Sequence, residues 1–308
     1  QSLNVYSHIH NTMNFDNDWM LGHKKSLGIF QNFGESDASK LVEGKSTKTV
    51  RFTIPCQMIS GFFRPHVKGQ KIPNHLLSGA RVELQLESAA RSFCMKGATG
   101  DSTLTYTVNN PQFVFMEHTL NDNTLKVLTQ ESANNGLEYV YDRVFTSLET
   151  TANQQVETQI KKAVSQGTAI VTAVYPAADQ NLLGASGFKT HPSTILGSYQ
   201  YRIASNYFPH QQVENASEAY FVSQYTFDGM RDRKAPAFDE TRFNDGNFYV
   251  GVPLKSDHSI SSSGLAINNS ATAAFSFRAK DTGNKVYYTF LVYTALARCF
   301  LSQVSVKV

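Results

Sequence analysis

The 308-residue sequence predicts an all-β protein built as a jelly-roll β-sandwich, and three observations carry that expectation. Strand-like runs, about fourteen of them, follow one another at irregular spacing. Only two segments carry the caps and periodicity of a short helix, too few to supply the crossovers of a parallel α/β sheet. The closing run, Asn247 to Val308, is the densest β signal and reads as the sealing end of a sandwich. At roughly 150 residues per domain the length suits two units. Two jelly rolls in tandem are expected, with short helices in loops: a first roll over 1–136, compact or incomplete at its N terminus, and a second over 137–308.

The first half supports this element by element. Leu3-Asn4-Val5-Tyr6 reads as a short strand, and Trp19-Met20-Leu21 and Leu27-Gly28-Ile29-Phe30 as brief apolar patches before a polar loop, Gly34 to Lys45. Thr47 to Pro55 sets Val50, Phe52 and Ile54 against Thr49, Arg51 and Thr53, the period of two that sends alternate side chains to opposite faces of a strand. Ala80 to Glu87 repeats the pattern, with Val82, Leu84 and Leu86 on one face and Arg81, Glu83, Gln85 and Glu87 on the other. Leu104 to Leu120 adds two strands around the break Asn109-Asn110-Pro111, one with Tyr106 and Val108, the other with Phe113 and Phe115. Asn121-Asp122-Asn123-Thr124 then offers a cap, Leu125, Val127 and Leu128 an apolar turn, and Asn134-Asn135-Gly136 a stop, which together predict a short helix.

The second half returns to strands. Leu137 to Thr146 is one. Gln154 to Val164 reads as strand or helix, and the alternation of Val156, Thr158 and Ile160 with Gln155, Glu157 and Gln159 favours strand. The β-branched run Thr168 to Tyr175 fits a buried strand, and Ser198 to Ile203 another. Glu214 to Phe221 reads as the second short helix, and Asp228 to Asn247 as a charged loop. Tyr249 to Leu254, Ala273 to Ala279, Lys285 to Leu296 and Phe300 to Val308 close the fold around an exposed loop, Lys255 to Asn269. Lys285 to Leu296 is apolar on both faces, so it belongs at the centre of a sheet, with Val286, Tyr288, Phe290 and Val292 sharing one face.

Composition narrows the function. Charged residues make up 17% and aromatics 12%, a polar but sparsely charged surface suited to burial against copies of the same chain. A net charge of +3, with no block of five Lys/Arg, provides no arm for gripping phosphates. Cys56, Cys94 and Cys299 are odd in number and widely spaced, which fits buried thiols in a reducing compartment rather than a disulfide framework or a zinc site. No run is apolar enough for a membrane span, none reads as a signal peptide, and the sequence opens on Gln1 rather than Met, so an earlier piece is expected to have been removed or left out.

The chemistry-bearing patterns are weak. Gly-x-Ser-x-Gly, a phosphate loop, His-Glu-x-x-His and Cys-x-x-Cys are all missing. His8 and His10 would share a strand face as a metal pair, but no third ligand lies near in sequence, and a surface pair is the better reading. Asp228, Asp232, Asp239, Glu240 and Asp245 lie among Arg231, Arg233, Lys234 and Arg242, which makes an ion-paired loop rather than a calcium site. Asn215-Ala216-Ser217 and Asn268-Asn269-Ser270 match the glycosylation triplet, which polar chains also produce by chance. The sequence therefore assigns no catalytic, cofactor-binding or metal-binding residue and no cofactor.

Placed on these strands, several stretches resemble the double-jelly-roll major capsid proteins of eukaryotic DNA viruses, of the polinton-like and large DNA virus types. Arg51-Phe52-Thr53-Ile54-Pro55, Ile72-Pro73-Asn74-His75-Leu76-Leu77 and Ala80 to Leu86 are similar to a strand, a Pro/Leu segment and an alternating strand of that family. Phe113 to Leu120, Asn121 to Gln130 and Leu137 to Val140 resemble its strand, helix and strand near the bridge between rolls. Tyr249 to Lys255, Ile267 to Thr272 and Val286 to Tyr293 resemble its terminal strands. The likeness runs over roughly residues 48 to 308 and is one of fold pattern, not of a signature motif. It implies a non-enzymatic virion protein assembled inside the host cell, a homo-oligomer that forms trimeric capsomers and then an icosahedral lattice, with other capsid proteins such as a penton as partners. A single-jelly-roll capsid protein, or a jelly-roll module binding a glycan or receptor, is the alternative.

Overall fold

The computed structural model describes residues 2–14, 51, 53–64, 70–73, 81, 83, 85–87, 105–181, 189–226, 239–255, 264–267, 273–300 and 304–307. Ten strands and four α-helices lie among them. The strands are β1 (Leu137–Thr151), β2 (Gln155–Ile160), β3 (Val164–Pro176), β4 (Leu196–Ile203), β5 (Asn206–Val213), β6 (Tyr249–Pro253), β7 (Leu265–Ile267), β8 (Ala273–Ala279), β9 (Lys285–Cys299) and β10 (Val304–Lys307). The helices are α1 (Ser2–Asn14), α2 (Asp122–Asn134), α3 (Ala216–Thr226) and α4 (Glu240–Asn244).

One sheet has the order β1-β9-β3-β6, with β10 added to β9 and β7 to β3; the other has the order β2-β8-β4-β5, and every pairing is antiparallel. The chain crosses from sheet to sheet at β1 to β2, β2 to β3, β3 to β4, β5 to β6, β7 to β8 and β8 to β9. Eight strands in that order are two interleaved Greek keys, the jelly roll. The roll occupies Leu137 to Cys299, and among the described residues of 1–136 no strand occurs.

The core between the sheets is aromatic. Phe275 meets Tyr201 at 4.9 Å between ring centroids, and Phe277 meets Tyr287 at 5.7 Å. In β2 the alternation is complete: Val156, Thr158 and Ile160 are buried, while Gln155, Glu157 and Gln159 are exposed. β9 pairs with β1 on one side and β3 on the other, the central position its two apolar faces require. Tyr287, Thr289 and Leu291 face the opposing sheet, whereas Tyr288, Phe290 and Val292 face outward and are still buried. Their outer cover is α1, whose Tyr6 ring lies 5.5 Å from that of Phe290.

Four sequence expectations are corrected. Leu3 to Tyr6 is not strand but the first turns of α1, because Val5, Tyr6, Ile9 and Met13 fall on one face at helical spacing and bury against the sheet. Residues 105–120 form neither strand nor helix. Asn206 to Val213 is an edge strand that was not anticipated; Pro209 within it removes a ladder donor, which only an edge tolerates. The charged loop contains α4, whose N-cap Asp239 accepts a hydrogen bond from the Arg242 amide at 2.9 Å. The patches at 19–21 and 27–30, and the loop 34–45, lie outside the described residues. So do parts of the strands expected at 47–55 and 80–87, whose described residues form no ladder.

Candidate functional site

A group of part-buried polar side chains surrounds α1. Its hydroxyl and amide side chains anchor it to the neighbouring turn: Ser7 Oγ donates to the Ile59 carbonyl at 2.9 Å, and Asn11 Nδ2 to the Met58 carbonyl at 3.0 Å. That turn is two short 3₁₀ segments, Cys56–Met58 and Gly61–Phe63, the second capped by Ser60. It leans on β1, where Phe62 packs on Tyr139 and Tyr141 and accepts a hydrogen bond from the Tyr139 hydroxyl through its carbonyl. Gly61 rides on the Asp142 carbonyl so closely that a Cβ there would overlap the oxygen.

Within this junction the Arg64 guanidinium lies against the His10 ring, its Nη1 in contact with Nε2 and 2.7 Å from Nδ1. The His8 ring meets Tyr249 edge-on at 6.4 Å, and its Nε2 is closed off from solvent. Burial lowers the His8 pKa to about 4. Burial and then the Arg64 charge lower that of His10 to about 3, outweighing the opposite pull of Asp142. Both imidazoles are therefore neutral at pH 7. The cleft beside them, lined by Tyr6, Ile59, Arg64, Asp142 and Arg143 among others, encloses about 340 Å³.

Two further polar features are structural. Tyr201 Oη lies 2.9 Å from the Val250 carbonyl and 3.1 Å from Thr172 Oγ1, which is 3.0 Å from Thr289 Oγ1. One proton per hydroxyl fits a relay in which Thr289 donates to Thr172, Thr172 to Tyr201, and Tyr201 to the carbonyl. At the β8–β9 turn, Lys285 is fully buried, and its ammonium donates to Asp281 Oδ1 at 2.6 Å, to the Asp281 carbonyl at 3.1 Å and to the Gly283 carbonyl.

The sequence-level candidates scatter. His8 and His10 lie on a helix, where positions two apart point ~200° from each other, so they share no face. Among the described residues no three His, Cys, Asp or Glu side chains converge as a metal set. Asp239 caps α4, Glu240 accepts from Ser217 Oγ, and Asp245 pairs with Lys189 at 3.5 Å; Asp228 and Asp232 lie outside the described residues. Cys299 is buried and Cys56 half-buried, both as free thiols, and Cys94 lies outside the described residues. Asn215, of the first triplet, accepts the Ser217 amide at the start of α3. Sequence reasoning missed Arg64 and Lys285, which carry no local motif.

The largest exposed apolar feature is a single stretch of chain. Sixteen large apolar side chains are exposed among the described residues, and eight fall between 108 and 127: Val108, Phe113, Val114, Phe115, Met116, Leu120, Leu125 and Val127. Val114, Phe115 and Met116 are 82%, 68% and 80% exposed.

No family model matches the chain, and no curated protein matches it. Among solved structures it is similar to VP54 of PBCV-1, as fitted into a reconstruction of the virophage Sputnik, with TM-score 0.40 and 8% identity over 56% of this chain and 52% of that one. It is similar to the Faustovirus major capsid protein, with TM-score 0.42 and 8% identity over 58% and 36%, and to the mavirus major capsid protein, with TM-score 0.32 and 10% identity over 56% and 41%. The chain spans about half the length of the PBCV-1 protein and less of the other two.

Proposed function

We propose that this chain is a viral major capsid protein, a non-enzymatic structural subunit that self-assembles through trimeric capsomers into an icosahedral shell. The observation that carries the reading is the exposed apolar stretch from Val108 to Val127 beside a rigid jelly roll. A sandwich with an aromatic core supplies a stiff block, and an uncovered apolar stretch supplies the area that neighbouring copies bury. The partners are further copies of the chain, with a penton protein as an additional one, and the location is the virion, after assembly inside the host cell. A tandem arrangement, with a first roll over 1–136 and a second over 137–308, belongs to the proposal.

The test is assembly. Purified protein is sized by light scattering and imaged in negative stain, beside a variant carrying Val114→Asp and Met116→Lys. The wild type forms trimers and then lattices or shells, while the variant stays monomeric with unchanged thermal stability, because side chains this exposed contribute little to the fold of one chain. A variant that assembles like the wild type sinks the reading.

One observation favours a second reading, a single-jelly-roll capsid protein or a jelly-roll module that binds a glycan or receptor: every ladder among the described residues lies between Leu137 and Lys307. A specific glycan-array hit by a chain that never assembles promotes the receptor-binding form.

A further inference from the structure

We propose that the cleft where α1, the 56–64 turn and β1 meet is a binding site for phosphate, as the free ion or as the phosphate group of a small ligand. The cleft encloses about 340 Å³, at the lower end of the range that small ligands occupy. Each of the three segments brings polar side chains to its wall: Tyr6 from α1, Ser60 and Arg64 from the turn, Asp142 and Arg143 from β1. The site lies within one chain, so it stands or falls independently of assembly.

The wall holds more donors than acceptors. Arg64 is half-buried and spends Nη1 on the His10 ring. It forms no ion pair among the described residues, and its Nε is closed off from solvent without an acceptor. Arg143, exposed at the rim, is likewise without an ion pair among the described residues. Tyr6 is 4% exposed, and its hydroxyl has no hydrogen-bond partner among the described residues. Asp142 and Arg64, both of the cleft wall, are the charges acting on that hydroxyl, which sets it on the cleft side of the helix. Burial raises its pKa, so it remains a donor at neutral pH. Ser60 Oγ accepts from the Phe62 amide at 3.3 Å and keeps its own proton to donate. A half-buried guanidinium without a counter-charge is an unfavourable arrangement, and an anion relieves it.

The donor set favours phosphate over a carboxylate. Two guanidiniums and two hydroxyl groups present donors from three segments, and a tetrahedral anion has more oxygens to meet them than a planar carboxylate has. Asp142 is the one carboxylate among the described residues of the wall, and two cations outnumber it. A phosphate held by Tyr6, Arg64 and Arg143 also bridges the helix to the turn and to β1, so binding clamps α1 onto the sheet.

The test is isothermal titration calorimetry of the intact chain with inorganic phosphate, adenosine monophosphate and acetate at matched ionic strength, beside hydrogen–deuterium exchange. Phosphate binds saturably at a single site, and protection of the α1 amides rises with its concentration, because only the docked helix completes the site. Tyr6→Phe, which keeps the buried ring, and Arg143→Gln, at the exposed rim, each weaken binding ~10-fold or more. Asp142→Asn tightens binding ~3-fold, a direction that damage to the fold does not produce. Nucleotide affinity equal to or below that of inorganic phosphate assigns the free ion, and tighter nucleotide binding assigns a phosphorylated ligand. No saturable binding below ~10 mM phosphate, unchanged affinity in Tyr6→Phe and Arg143→Gln, or acetate bound as tightly as phosphate overturns the proposal.

Discussion

Thr172 and Tyr201 join the two sheets through their hydroxyl groups, 3.1 Å apart at the centre of a core otherwise filled by rings. Thr172 is on β3 and Tyr201 on β4, so the contact fixes the lateral position of one sheet over the other. Tyr201→Phe keeps the ring and deletes the relay, leaving the Val250 carbonyl and the Thr172 hydroxyl without this partner. The expected cost is ~1–3 kcal/mol, read as a lower urea midpoint with an unchanged slope. Adding Thr172→Val to Tyr201→Phe costs less than the two single changes summed, because both ends of one interaction are removed together.

Lys285 turns an unfavourable burial into a clamp. Its ammonium has three protons and three acceptors, all in the turn between β8 and β9, and Asp281 remains half exposed. Lys285→Met retains the stem and leaves the Asp281 and Gly283 carbonyls without their donor, at an expected ~1.5–3 kcal/mol. Arg at this position does not restore stability, since a planar fork fails to reach acceptors grouped around a point charge. Unfolding midpoints of the two variants check both statements.

Gly61 is required by contact rather than by backbone conformation. A methyl group there runs into the Asp142 carbonyl of β1, which is backbone and cannot swing aside. Gly61→Ala therefore lifts the 56–64 turn from β1 and loosens the Phe62 packing on Tyr139 and Tyr141. A loss of ~1–3 kcal/mol is expected, with faster proteolytic cleavage near Phe63 as the local readout.

The roll was legible in the sequence where burial on one or both faces writes a clean pattern. β2 alternates because only one face meets the core, and β9 is apolar throughout because sheet and helix cover it on opposite sides. β5 was illegible because an exposed edge imposes no alternation, and its Pro209 and Gln211-Gln212 resemble a loop. α1 was illegible for a different reason. Its four buried residues are scattered among polar ones, and they become a face only when a sheet stands opposite. Read on a strand, the two histidines share one face and make a surface pair rather than a metal site. The helix separates them and gives each its own buried setting, one of which depends on Arg64, more than fifty residues away and unmarked by any motif.

Phe290 tests the placement of the central strand. It is fully buried on the outer face of β9, opposite Thr146 on β1 and Val171 on β3, and the Tyr6 ring covers it. Phe290→Ala removes the ring contacts and leaves a cavity under α1, at an expected ~3–5 kcal/mol. Phe290→Asp places a carboxylate in that cavity, and desolvating a charge there exceeds what a marginally stable domain tolerates. Soluble, folded Phe290→Asp protein, judged by near-ultraviolet circular dichroism and a cooperative melt, contradicts the buried placement.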